Sequence, residues 1–265
     1  MKHSEIRQVV LIGAGNVATH LALHLMNSER KLVQIWSRTS ESAAALASKV
    51  NVPWCTSLQE LFPDADLYMI AVPDRVLPEI LVRLTLPRDR FIVHTAGGLS
   101  IELLQKATER PGVFYPVQTF TKERPLNFRS IPVCIEARKA DDLKLLKAFA
   151  GCFSGKIYSL DSEKRKSVHL AAVFANNFTN YLYQVSYDLL QRENLPFDLL
   201  RPLIRETAMK IQQCEPQAAQ TGPAVRNDRT VIAEHLELLK RDKQYDELYA
   251  FLTERILEMQ GNLNA

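Results

Sequence analysis

Over the first 160 residues short apolar runs alternate with stretches of helical periodicity, and beyond them helical periodicity stands alone. Val9, Val10, Leu11 and Ile12 predict a first strand, and Val17, Leu21 and Leu25, joined by Ala22 and Met26, predict the apolar face of a helix directly after it. Residues 32–36 read as a second strand, and Ser40 caps an alanine-rich helix running to about residue 49. A short strand at 52–55 and a short helix at 57–62 follow. Residues 67–72 are apolar throughout, as a central parallel strand covered on both faces requires, and Pro73 and Asp74 take the chain out of the sheet. A helix at 76–84, a strand at 91–93, a helix from Ser100 and a strand at 112–114 continue the alternation. An irregular stretch at 115–120 and a polar loop to 130 lead to a strand at 131–136, a helix at 141–149 and a last strand at 157–160. From 161 onward the helical patterns are long, at 163–192, 197–215, 228–241 and 243–260. The pattern predicts an α/β doubly wound sheet over 1–160 and an all-α domain over 161–265, with no Gly/Ser linker at the boundary near 158–163.

The junction of the first strand and helix reads Gly13, Ala14, Gly15, Asn16, Val17, Ala18, a Gly-x-Gly-x-x-Ala turn in a strand–turn–helix context. Gly13 permits the tight turn, Gly15 lets backbone approach a pyrophosphate, and Ala18 keeps the helix close to its strand. The phosphates then face the first-turn amides, Asn16 and Val17 among them, at the positive end of the helix dipole. Only nine glycines occur in 265 residues, below the usual share of roughly 7%, so two at one turn are informative. At the end of the second strand, where an Asp or Glu would hold the ribose hydroxyl of NAD, no acid stands. Arg38 stands there with the hydroxyls of Ser37, Thr39 and Ser40, a set suited to the 2′-phosphate of NADP. Val72 and Pro73 should border the same ligand, because ligands of such sheets lie off the carboxyl ends of the strands. Gly13, Arg38, Pro73, His94 and Tyr115 are all expected on that edge.

A net charge of +3 without a dense basic stripe argues against nucleic acid as a partner. Cys55, Cys134, Cys152 and Cys214 are isolated, and with no Cys/His cluster no metal site is expected. The polar start from Met1 to Arg7 lacks the apolar core of a signal peptide, and no apolar run is long enough to cross a bilayer. A cytoplasmic protein acting on a small molecule, away from membranes, is expected.

The first long helix carries an apolar stripe of Leu170, Phe174, Phe178, Leu182, Val185 and Leu189, expected as core. A second face carries His169, Asn176, Asn180, Tyr183 and Tyr187. Asparagine is a poor helix former, so Asn176, Asn177 and Asn180 so close together point either to buried partners or to a site. His169 is the leading candidate for proton transfer, because its ordinary pKa lies near neutrality, and Asn176 is the candidate for orienting substrate. His94, at the end of a strand, either donates to a substrate oxygen or fastens the loop of Thr95, Ala96, Gly97 and Gly98. Gln118, with Tyr115 and Thr119, lies on a loop that should overhang the same edge. Asp228 reads as a helix N-cap, Thr221, Gly222 and Pro223 as a turn, and Lys164, Arg165 and Lys166 as a solvated surface.

The turn at 13–18, the His94 loop, the run Tyr115, Pro116, Val117, Gln118, Thr119 and Phe120, the helix from His169 to Asn180 and the segment at 221–226 together resemble an uncharacterised family assigned as NADP oxidoreductases. Its members join a Rossmann domain to a helical domain of unknown function. More distantly the chain is similar to the superfamily of pyrroline-5-carboxylate reductase, ketopantoate reductase, 6-phosphogluconate dehydrogenase and F420-dependent NADP reductase. The resemblance implies a Rossmann fold with a 6-phosphogluconate-dehydrogenase-like helical domain that closes over the nicotinamide, and long helices that pair across a homodimer. It implies NADP(H) as cofactor and hydride exchange with a small carbonyl or imine in the cleft between domains. The alternatives are a non-catalytic dinucleotide-binding sensor or scaffold, and hydride exchange with a deazaflavin. Hydroxyacid dehydrogenases of the superfamily place a Lys, and an Asn one turn later, on the first long helix, whereas this chain has His169 and Val173 there. The family commonly has His before the loop proline, where this chain has Tyr115.

Overall fold

A computed structural model describes residues 5–261; of the polar start, Met1 to Ser4 lie outside them. Eight strands form one sheet in the order β3-β2-β1-β4-β5-β6-β7-β8. β1 (Gln8–Ile12) is central and pairs in parallel with both β2 (Lys31–Trp36) and β4 (Leu67–Ile70). The strand order reverses there, which is where open α/β sheets place a ligand. β3 (Trp54–Cys55), β5 (Phe91–His94) and β6 (Arg110–Pro116) extend the parallel sheet. β7 (Val133–Ala137) runs antiparallel to β6, and β8 (Ile157–Ser159) parallel to β7.

The central strands have no solvated face. Val9 and Leu11 pack into one core with α1 (Asn16–Met26), α2 (Ser40–Val50) and α4 (Ala140–Phe153), while Val10 and Ile12 pack into the other with α3 (Leu77–Arg83). This two-sided burial explains the unbroken apolar runs. Of the expected α1 face, Leu21, Ala22 and Leu25 are buried and Val17 is half-buried, but Met26, in the last position, is exposed. The helix expected from Ser100 is a 3₁₀ segment, Ile101–Lys106, whose cap is indeed Ser100, accepting from the amide of Glu102.

Close contacts divide the chain into two compact units, Met1–Asn177 and Phe178–Ala265. The division falls later than the change of pattern at 161, so α5 (Ser162–Ala172) belongs with the sheet. The segment after it, Val173–Phe178, is π-helical, a geometry that the regular apolar spacing did not predict. The second unit holds α6 (Thr179–Arg192), α7 (Arg201–Lys210), a short α8 (Pro216–Ala219), α9 (Arg229–Leu239) and α10 (Lys243–Gly261). Asp228 caps α9 as expected, accepting from the amide of Val231 at 3.2 Å, and Gly222 makes its turn at φ +117°. None of the residues of α6, α7 or α10 is buried. The stripe expected as core is exposed at Leu170, Phe174, Phe178 and Leu182. Among the described residues no helix is long and apolar enough to cross a membrane.

Candidate cofactor and active site

The two fingerprint glycines serve different ends. Gly13 has φ +131°, and its amide donates to the carbonyl of Trp36 at 2.7 Å. A Cβ there would stand 2.2 Å from the carbonyl oxygen of Ala71, so the turn is wedged between the ends of β2 and β4. Gly15 is different. It caps α1 in ordinary extended backbone, and a Cβ on it would meet nothing within 4 Å. No side chain caps this helix, which leaves the amides of Asn16, Val17 and Ala18 without intrahelical acceptors. Open space beside uncapped amides fits a pyrophosphate.

The other candidate cofactor residues stand at the ends of β2 and β4. Ser37 is buried, its amide donating to the carbonyl of Cys55 at 3.3 Å, and Arg38 and Thr39 are exposed. Arg38 makes no ion pair among the described residues. Thr39, rather than the expected Ser40, is the cap residue of α2, and its hydroxyl donates to Ser42 at 3.0 Å. Val72 is half-buried and Pro73 exposed where the chain leaves β4. These residues fit NADP: a guanidinium without an ion-pair partner among the described residues, set among hydroxyls.

The remaining candidates lie at the ends of β5 and β6 and on α5 and the π segment after it. His94 is fully buried, and Nδ1 accepts from the amide of Ala96 at 3.1 Å, the loop-fastening arrangement of the two expected. Its Nε2 lacks a well-aligned partner, and burial, with the nearby Arg165 charge, pushes its pKa down to about 3, against a weaker pull from the Ser100 backbone. His94 is therefore the loop fastener, a neutral imidazole. Gln118 is exposed and turned back on its own loop, its carbonyl accepting from the amide of Thr119 at 2.8 Å. Asn176 lies exposed in the π segment.

His169 is drawn into a cluster instead. Its Nδ1 hydrogen-bonds the hydroxyl of Tyr115 at 3.2 Å, and the two rings meet edge to face. Both rings rest on the backbone of Gly97: a Cβ there would be 2.7 Å from His169 Nδ1 and 2.7 Å from Tyr115 Cζ. The Asp74 carboxylate approaches the same wall, near Gly98. Burial raises the pKa of Tyr115, with Asp74 a smaller contribution in the same direction, so the phenol keeps its proton near neutrality. Tyr115 was expected at this edge with Gln118 and Thr119, but its pairing with His169 was not; Asp74 was read only as taking the chain out of the sheet, and the adjacent glycines, so rare in this chain, were the available signal.

Arg165 corrects another expectation. Far from a solvated surface, it is 1% exposed. Its guanidinium donates to Glu136 on β7 and to the carbonyl of Leu99, and reaches Ser162 Oγ at 3.3 Å. Its neighbours Lys164 and Lys166 pair on the surface with Asp161 and Glu163.

An open parallel sheet with a glycine turn and an uncapped helix at its switch point defines a dinucleotide-binding protein. Residues 8–98 match the family described as NADP oxidoreductase, coenzyme F420-dependent, and residues 131–256 match the domain of unknown function DUF2520. Among solved structures, a putative NADP oxidoreductase from Bacteroides fragilis is 44% identical, with 97% of this chain and 100% of that chain covered and a TM-score of 0.90. A protein from Thermotoga maritima is 25% identical over 97% of this chain and 100% of its own, with a TM-score of 0.75. An imine reductase from Myxococcus stipitatus, in complex with NADP+, shares the fold at 12% identity and a TM-score of 0.67, over 97% and 94% of the two chains. No protein of curated function matches the chain. The chain belongs to the family of the Bacteroides fragilis protein: NADP oxidoreductases that join a nucleotide-binding sheet to a DUF2520 domain.

Proposed function

We propose that this chain transfers a hydride between NADP(H) and a small imine or carbonyl, with His169 as the proton-transferring group. The observation that carries the proposal is the Tyr115–His169 pair at the sheet edge that bears the fingerprint. Gly13, Gly15, Asn16 and Val17 hold the pyrophosphate, Ser37, Arg38 and Thr39 the 2′-phosphate, and Val72 and Pro73 border the path between. Bound NADPH supplies the hydride. With Nδ1 taken up by the Tyr115 hydroxyl, Nε2 is the ring nitrogen left for the substrate: the protonated ring donates Nδ1–H to the Tyr115 oxygen, gives its Nε2 proton to a substrate nitrogen or oxygen and is left as neutral imidazole. The Asp74 carboxylate suits the charge of a protonated imine better than a neutral carbonyl, so imines are the preferred class. Asn176, exposed one helical stretch beyond His169, is proposed to orient the substrate.

We further propose that the chain works as a homodimer. The second unit buries few of its apolar residues, leaving Phe178, Leu182, Leu203, Met209, Ile211 and Phe251 exposed. Soluble monomers rarely expose so many large apolar side chains on one small unit, and a second copy would cover them.

NADPH oxidation against matched panels of cyclic imines and the corresponding ketones tests the chemistry. His169→Ala should lower turnover by about 10²–10⁴-fold, the usual share of a positioned acid, and leave NADPH binding within about threefold. Full turnover in that variant would remove His169 from the mechanism.

A further inference from the structure

Arg165 is placed where neither helix electrostatics nor burial favours it. It lies in the first turn of α5 (Ser162–Ala172), where the helix dipole repels a cation. Burying an ion pair there costs several kcal/mol per ion before the attraction offsets it, and an apolar pair of the same volume is often as stable. Stability alone does not account for it. Its contacts converge on three segments. The guanidinium meets Glu136 on β7 and the carbonyl of Leu99, the residue directly after the Gly97–Gly98 wall. Glu136 also accepts from the hydroxyl of Ser162 at 2.9 Å and from its amide at 3.1 Å, and that hydroxyl accepts from the amide of Ile101 at 3.0 Å.

The spacing links this anchor to the site. Glu136 stands opposite Val113 and Cys134 opposite Tyr115 in the antiparallel β6–β7 pair. Opposed residues and those two apart share one face, so Glu136 and Tyr115 lie on the same side of the sheet, two residues apart along β6. That step spans about 6.8 Å. Arg165 and His169, four apart, lie on one face of α5 with a rise of about 6 Å. The helix is therefore attached at two matched points, Arg165 over Glu136 and His169 over Tyr115.

We propose that the buried Arg165–Glu136 pair is a positioning device that sets the register of α5, and so holds His169 against Tyr115 and Gly97. It acts through His169 and touches no reacting atom. Its catalytic importance rests on the assignment of proton transfer to His169; the register itself does not.

The test is nitrogen NMR of the full chain labelled at histidine, with the His169 signals identified by their loss in His169→Gln. Tyr115→Phe supplies the reference for a broken Tyr115–His169 bond. In Arg165→Lys and Glu136→Gln the His169 Nδ1 signal should move from its native position toward that reference, while calorimetric NADP+ affinity stays within about threefold of native. A purely structural role would lower the melting temperature and leave the signal in place. If the single variants fail to fold, the double variant Arg165→Met/Glu136→Leu removes both buried charges and should fold with the signal displaced. Native His169 signals in folded Arg165→Lys, Glu136→Gln or the double variant would overturn the proposal, as would a Tyr115→Phe signal that does not move. Because the readout needs neither substrate nor cofactor, an absence of NADP+ binding would refute the functional reading while leaving the register intact.

Discussion

Replacing each fingerprint glycine by alanine should separate folding from binding. At Gly13 the methyl group would sit 2.2 Å from the Ala71 carbonyl oxygen and 2.8 Å from its carbon, both backbone atoms that cannot swing aside. Its φ of +131° adds strain for any L side chain, of order 1–3 kcal/mol. Together these should cost about 3 kcal/mol or more. At roughly 2–4 °C per kcal/mol for a unit of this size, the melting temperature of Gly13→Ala should fall by about 6–12 °C or beyond. At Gly15 the backbone is ordinary and the methyl would meet nothing within 4 Å, so Gly15→Ala should cost less than about 1 kcal/mol. The methyl enters the space assigned to phosphate, however. Losing one charge-assisted hydrogen bond, about 1.5–3 kcal/mol, would weaken NADPH binding by roughly 10-fold to 150-fold. Scanning calorimetry and isothermal titration read the two effects separately. NADPH bound at native affinity by Gly15→Ala, or native thermal stability in Gly13→Ala, would refute this division of labour.

Two more outcomes follow from burial. His94 stays neutral in the folded chain with its pKa near 3, whereas in the unfolded chain it takes a proton below about 6.5. Folding stability should thus be unaffected above that pH and fall as pH drops from about 6.5 toward 3, by up to about 1.4 kcal/mol per pH unit. Denaturant titrations of His94→Asn, whose carbonyl can replace Nδ1, should show a shallower loss over pH 6 to 4; an unchanged slope would contradict the assignment. Leu182→Arg or Phe178→Arg on the exposed stripe should convert a dimer to monomer in sedimentation equilibrium, and a native chain that sediments as a monomer would remove the dimer proposal.

The sheet was legible because its signals are local. The unbroken run at 67–70 is buried on both faces, and Gly-x-Gly-x-x-Ala at 13–18 carries its own turn geometry. The candidate cofactor residues are local in the same way: Ser37 and Arg38 come straight after β2. The His169 cluster depends on contacts across 54 residues for Tyr115–His169 and 29 for Arg165–Glu136, which no spacing in the sequence encodes. Arg165 sits between two surface lysines and was read as one of three alike, yet helical rotation turns it alone toward the sheet. His94 looked like chemistry because it ends a strand at the ligand edge, but its ring folds back to its own loop. The stripe from Leu170 to Leu189 has core periodicity and is nonetheless exposed over much of its length, because periodicity shows that a face needs covering without showing what covers it. The π segment arises where Asn176 and Asn177 weaken regular helix, a weakness visible in composition whose geometry was not.

The central claim is that this sheet edge binds NADP(H), selected by Arg38. Calorimetric titration of the native chain and of Arg38→Ala with NADPH and NADH tests it most directly. NADPH should bind the native chain at least about tenfold more tightly than NADH, and Arg38→Ala should erase most of that difference by weakening NADPH alone, since a guanidinium–phosphate contact contributes about 1.5–3 kcal/mol. Equal or tighter binding of NADH by the native chain, or binding of neither nucleotide, would contradict the account.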